Sequence, residues 1–304
     1  MGSFWKWALI GGAVLFFSVI LLFMIGIMAL LVSPDFESLE GNVAVIPIKG
    51  EILAEDEWTL GGTTVSSTDT IELIEKAEES GSIKAVIFEI NSPGGSGVAS
   101  QEISDAIRRM NKPSVAWIRD EAASGAYWAA SATDHIVASS MSITGSIGVI
   151  ASYVEYGGVL NKYNASYERL VSGQYKDMGS PLRQMTPAER EKFQALLDGI
   201  HEEFVAAVAE NRDLDQDYVK GIATGEVFLG KDAMRMGLVD EIGGKQEALN
   251  YMESQLNITP EPVAFKKRKT LFDAFSEAAS RQSFHVGEGI GSILMRQQRI
   301  QIRT

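Results

Sequence analysis

Residues 8–32, ALIGGAVLFFSVILLFMIGIMALLV, run for 25 residues without a charge. As a helix rising about 1.5 Å per residue, they reach roughly 37 Å, more than the ~30 Å of a bilayer's hydrocarbon core. Trp5 and Trp7 flank Lys6 at the near end, where interfacial anchors sit, and the far end runs into the acidic SPDFESLEG. This pattern predicts a retained, single-pass span in the cell membrane, with the bulk of the chain on the extracytoplasmic side. A cleaved signal peptide has an apolar core of about 7–15 residues ending in a small-x-small site. The stretch here is longer, and MALLVSPD holds no such site. Residues 1–33 are therefore read as a cytoplasmic start and transmembrane anchor, and residues 34–42 as a linker.

Of the 27 basic residues only Lys6 precedes the linker, whereas all 40 acidic residues follow the span. A face that neutralises nucleic-acid phosphates is not expected from that balance. The chain has no cysteine, which excludes disulfides, thiolate catalysis and Cys-based metal sites.

From residue 43 the pattern alternates. VAVIPI (43–48) reads as a strand, residues 54–67 as a polar loop, and STDTIELIEKAEES (67–80) as a capped helix. KAVIFEI (84–90) is a nearly unbroken apolar run, as expected of a strand buried on both faces. NSPGGSG (91–97) follows, then a helix to about Met110, strand SVAWI (114–118), a second turn and helix, and strand HIVAS (135–139). Such alternation predicts an α/β fold with parallel strands. Residues 157–164 read as helix, 167–172 as strand, and 186–213 as a long amphipathic helix with Pro187 in its first turn. Residues 259–304 read as a tail with a short helix near 270–281; its KKRK (266–269) reads as a solvated turn, with lipid or subunit contact as the sharper option.

Ser124, in EAASGAYWAAS (121–131), stands at the expected strand-to-helix turn, a position suited to a nucleophile. The nucleophile elbow G-x-S-x-G is absent. His135, His201 and His285 carry no neighbouring motif of a catalytic base and are read as structural. A lysine can act instead, but only as the neutral amine; its reference pKa of about 10.4 must then be lowered by burial. Lys176, in LVSGQYKDMGSP (170–181), follows an expected strand and a Ser-Gly turn. The alternative is a surface lysine, with Asp177 beside it as a counter-ion that would keep it charged.

Acyl transfer also needs backbone N–H groups aimed at the developing oxyanion. Gly125 stands at a helix start, where N–H groups are unpaired. Gly94 and Gly95, without side chains, let a substrate carbonyl approach closely. A plain turn is the alternative. Phosphate-binding glycine patterns do not match.

FEINSPGGSG, EAASGAYWAAS, ITGSIGV, SGQYKDMGSP and MTPAERE occur in that order. Together they resemble the signal peptide peptidase A family, also called protease IV, over roughly residues 43–250, with 52 residues between Ser124 and Lys176 as in its short, single-copy members. The resemblance implies a fold like the Clp protease subunit and the crotonases, of repeated ββα units, over a catalytic domain at 43–258. It implies Ser124 as nucleophile, Lys176 as general base, and the N–H groups of Gly95 and Gly125 as oxyanion hole. Ser146, in TGSIG, is a candidate to orient the lysine amine. No metal or cofactor is implied. The substrates implied are remnant signal peptides and other apolar segments, cut in a homo-oligomeric ring whose active sites form at subunit boundaries. The long form divides its dyad between two tandem copies; this chain holds both residues in one. Ala126 stands where the family often has glycine. The rivals are a crotonase-like enzyme acting on acyl thioesters, an inactive membrane-anchored scaffold, and a related protease that cuts one membrane partner.

Overall fold

The computed structural model describes residues 15–24, 26, 41–55 and 63–265. Of the expected anchor, residues 15–24 are helical with their apolar side chains exposed. The rest of that span, apart from helical residue 26, lies outside the described residues, as does the helix expected near 270–281. Among the described residues no helix is long and apolar enough to cross a membrane. Residues 40–267 form one compact unit.

That unit is built on one mixed sheet ordered β10-β1-β4-β5-β6-β9, with β7 beside the end of β5 and β8 beside β7. The strands are β1 (Val43–Lys49), β4 (Ala85–Ser92), β5 (Ser114–Ala123), β6 (His135–Ala138), β7 (Ile143–Gly145), β8 (Val227–Leu229), β9 (Glu241–Ile242) and β10 (Pro262–Ala264). All pairs are parallel except β7 with β8. A separate parallel pair joins β2 (Glu51–Leu53) to β3 (Thr64–Ser66). The expected α/β class with a parallel-rich sheet is what the chain forms. The sheet continues past residue 258, because β10 adds to the edge of β1.

The apolar run of β4 has its cause in this order. It pairs with β1 on one side and β5 on the other, and Val86, Ile87, Phe88 and Ile90 are fully buried. One face of the sheet meets helix α8 (Lys245–Leu256), where Ala248 and Met252 pack on Val43, Val45, Ile87 and Val115. Helix α1 (Ser67–Glu79) buries Ser67, Thr70, Ile74 and Ala77 at helical spacing, and Ser66 caps it by accepting from the Asp69 N–H at 3.2 Å. Helix α2 (Gly97–Arg108) and the short helix α3 (Gly125–Ser131) follow the ends of β4 and β5.

Helix α5 (Pro187–Arg212) begins with a complete capping box, Thr186 with Glu189, and ends at Asp213 in a left-handed conformation. Its C-terminal half docks through Phe204, Val205, Val208 and Ala209, and Phe204 stacks on Trp128 of α3 with centroids 4.7 Å apart. Its N-terminal half leaves Leu196 and Ile200 exposed. Helix α4 (Gly157–Lys162) forms where expected. Residues 167–172 do not form the expected strand; they are irregular and exposed, and among the described residues no strand stands beside them to take their backbone hydrogen bonds. Residues 64–66, read as loop, are strand β3, because β2 supplies a partner that periodicity does not reveal. Helices α6 (Gln216–Ile222) and α7 (Gly230–Arg235) complete the unit.

Candidate active site

Parallel strands end on the same edge, and three neighbours deliver the site there. Ser92 of β4 stands opposite Ala122 of β5, and Ala123 of β5 opposite Gly145 of β7. Gly94–Gly95, Ser124–Gly125 and Ser146 are the next residues out, at the edge where open α/β sheets bind ligands.

Ser124 leaves β5 with φ 53° and ψ −126° and is the N-cap of α3. A non-glycine residue there stores about 1–3 kcal/mol of strain. Its own backbone is held from both sides. Its N–H donates to the Gly145 carbonyl at 2.9 Å, and its carbonyl accepts from the N–H groups of Tyr127 and Trp128. The fully buried Tyr127, whose hydroxyl donates to the Leu238 carbonyl at 2.9 Å, anchors the helix below. A strained strand-to-helix turn is thus present at Ser124 without the G-x-S-x-G pattern. Ser146 is also left-handed, with φ 52°; its N–H donates to the Glu226 carbonyl at 2.7 Å and its hydroxyl to the Gly225 carbonyl at 3.4 Å.

The glycine loop is clamped by β2. The Ile52 N–H donates to the Gly94 carbonyl and the Ser96 N–H to the Ile52 carbonyl, both at 2.8 Å. That pairing uses the Gly94 carbonyl and the Ser96 N–H and leaves the Gly95 N–H outside it. A Cβ on Gly125 would stand 3.5 Å from the Gly95 nitrogen, and a Cβ on Gly94 only 2.7 Å from the Gly125 nitrogen. Neither the Gly95 nor the Gly125 N–H donates a hydrogen bond among the described residues. Two N–H groups without an acceptor among the described residues therefore lie close together near Ser124. Gly125 has a second reason to be glycine: a Cβ would sit 2.1 Å from the Ser100 hydroxyl oxygen.

A cleft of about 420 Å³ opens over Ser124 and Ser146, walled by Val149, Ile150, Thr224 and one face of α5. That face carries Gln194, Leu197, Asp198 and His201 at helical spacing. His201, read as structural in the sequence, lines this cleft. Its Nε2 is buried with no hydrogen-bond partner, and it makes no hydrogen bond to Ser124 among the described residues. The one sequence signal was its spacing from Gln194 and Asp198; what that face covers is not written in the helix itself. His135 is structural, stacked on Tyr251 with its Nε2 3.2 Å from Glu241. His285 lies outside the described residues.

Lys176 is not brought to Ser124. It lies exposed in the turn at 172–179 and does not line the cleft. Its ammonium makes no hydrogen bond or ion pair among the described residues. Asp177 is engaged by Arg169 and Arg183 instead. Hydrogen bonds from Arg183, and then from Arg169, hold its carboxyl well below the usual range. No cluster of metal-ligating side chains occurs among the described residues.

The model of peptidase family S49 matches residues 106–259, a span that holds Ser124, Gly125, Ser146 and Lys176 but not Gly95. A putative protease of Methanocaldococcus jannaschii is 36% identical over 239 residues, which are 77% of this chain and 76% of that protein. Protease 4 of Haemophilus influenzae is 32% identical over 71% of this chain and 35% of its own length. A putative signal peptide peptidase SppA of Enterococcus faecium is 34% identical over 65% of this chain and 58% of its own. The chain thus spans about a third of the Haemophilus protein and under two thirds of the Enterococcus one.

Proposed function

The chain belongs to peptidase family S49, the family of signal peptide peptidase A and protease IV, and on that premise we propose that it is a membrane-anchored serine endopeptidase with a Ser-Lys dyad. The observation that carries the proposal is that Gly95 and Gly125, whose N–H groups have no acceptor among the described residues, lie close together beside a serine held at a strained strand-to-helix turn. Neutral Lys176 takes the Ser124 proton as Oγ attacks a peptide carbonyl. The two N–H groups stabilise the oxyanion. The C–N bond breaks, the lysine returns the proton to the leaving amine, and water then hydrolyses the acyl-enzyme by the same route, restoring the serine. Ser146, beside Ser124, orients the lysine amine.

The lysine comes from a neighbouring copy in a ring. Its exposure outside the Ser124 cleft supports that arrangement, as do bare apolar side chains on the unit. Ile150, at the cleft, is 86% exposed, Tyr163 74% and Leu170 89%. The uncharged residues 8–32 support an anchor, with the catalytic unit on the extracytoplasmic side. Remnant signal peptides and other apolar segments are the substrates, threaded in extended form.

His201 is the second candidate for the base, because it lines the same cleft with an unpartnered nitrogen. No carboxylate orients it, however; Asp198 accepts from Gln194 at 2.8 Å. Hydrolysis of an apolar fluorogenic peptide by the full-length chain separates the two. Ser124→Ala and Lys176→Ala are inactive and His201→Gln retains turnover if the dyad is right. An active Lys176→Ala with a dead His201→Gln reverses the assignment. Inactivity of a folded, oligomeric wild type refutes the peptidase.

A further inference from the structure

Asp177 adjoins the proposed base, and a carboxylate there would hold the amine in its charged, useless form. Its oxygens are committed elsewhere. Oδ1 accepts from Arg169 Nε at 2.6 Å and from Arg183 Nη2 at 2.9 Å, and Oδ2 accepts from Arg183 Nε at 2.9 Å. Arg183 then reaches both oxygens of Glu189, at 2.8 and 2.6 Å. Glu189, only 5% exposed, accepts in turn from the Thr186 N–H and hydroxyl at the start of α5. Arg169 also donates to the Gln174 carbonyl at 2.8 Å, two residues before Lys176. Also in the first turns of α5 are Arg190, Glu191 and Lys192, and the Lys192 ammonium lies 4.9 Å over the Tyr175 ring. Two arginines thus balance two carboxylates, and Lys176 is left with no counter-ion among the described residues.

We propose that Arg183, with Arg169, is a positioning residue of the hydrolytic site: it withholds the Asp177 carboxylate from Lys176 and ties the lysine-bearing turn to the start of α5. This rests on Lys176 being the base. An arginine suits the task because its planar fork fixes two carboxylates in one geometry, which a lysine's point charge does not. Without Arg183, Asp177 loses two of its three hydrogen bonds and keeps Arg169 alone, and the next residue in the chain is the cation Lys176.

The test is the pH dependence of kcat/KM for an apolar fluorogenic peptide, measured on the full-length chain. Arg183→Gln should move the acid limb up by about one pH unit, the scale of one close opposite charge, while the alkaline plateau stays within a few-fold of wild type. Adding Asp177→Asn should return the limb. Asp177→Asn alone, which frees Arg169 of its carboxylate and leaves Arg183 only Glu189, adds one uncompensated positive charge and should move it to lower pH. A limb that stays in place in Arg183→Gln while the rate falls at every pH overturns the proposal. Where Arg183→Gln does not fold, Asp177→Asn decides: a lowered limb upholds the proposal, and an unmoved or raised one overturns it. Activity surviving in Lys176→Ala overturns the base itself and this proposal with it, whereas unmoved limbs beside a dead Lys176→Ala overturn this proposal alone.

Discussion

Ser124 donates its backbone N–H to the carbonyl of Gly145 at 2.9 Å, so the serine and the strand leading to Ser146 are locked at one level of the sheet. The strain at Ser124 persists because β7 below and α3 ahead leave its backbone no other course. Ser124→Gly should therefore abolish hydrolysis and yet stabilise the unit by about 1 kcal/mol, the relieved strain less the extra freedom of glycine in the unfolded chain. Urea denaturation of the two proteins measures it. A destabilised Ser124→Gly would show that the turn is not strained.

Gly125 faces Ser100 at a distance that admits no Cβ. Gly125→Ala should lower kcat/KM by about a hundredfold or more, because α3 must shift and its N–H leaves the oxyanion position. Ser100→Gly in the same chain removes the obstructing hydroxyl and should recover part of the loss, with KM little changed. Steady-state kinetics on the single and double variants reads this directly.

Glu189 and Asp177 both have carboxyls held below their ordinary values, each chiefly by hydrogen bonds from Arg183. A depressed folded-state pKa contributes stability that is present above the unfolded values, about 3.9 for Asp and 4.3 for Glu, and lost as pH falls through the folded ones. The segment around 169–189 should thus loosen below a pH of about 4. Scanning calorimetry from neutral to acid pH should show a melting temperature that drops in that window, and a shallower drop in Glu189→Gln.

Leu170 is nine-tenths exposed in a stretch with no strand partner. A ring that covers this stretch is broken by a charge placed there. Leu170→Asp should sediment as a smaller species than wild type and lose hydrolysis, while its circular dichroism stays that of the folded unit. A variant of unchanged size would remove this segment from the interface.

Some of this was legible in single segments. The run KAVIFEI announced a strand buried on both faces, and Thr186, Pro187 and Glu189 announced where α5 begins, because caps and periodicity act within a few residues. The strand proposed at 167–172 shows the opposite case. Its composition suits a strand, but pairing needs a partner, and among the described residues none stands beside it. β3 is the converse, a strand made by β2 and not by its own residues.

At the site the same division holds. The order of NSPGG, Ser124 and TGSIG along the chain is a property of the sequence, and so is the small size of Gly94, Gly95 and Gly125. That these segments meet was decided by the sheet, since only the order β4-β5-β7 sets their ends side by side on one edge. The fold also decided that His201 lines the same cleft as Ser124 and that Asp177 turns to two arginines. Residue types and spacing encode what one segment can do; contacts between segments far apart in the chain exist only once the sheet has set their register.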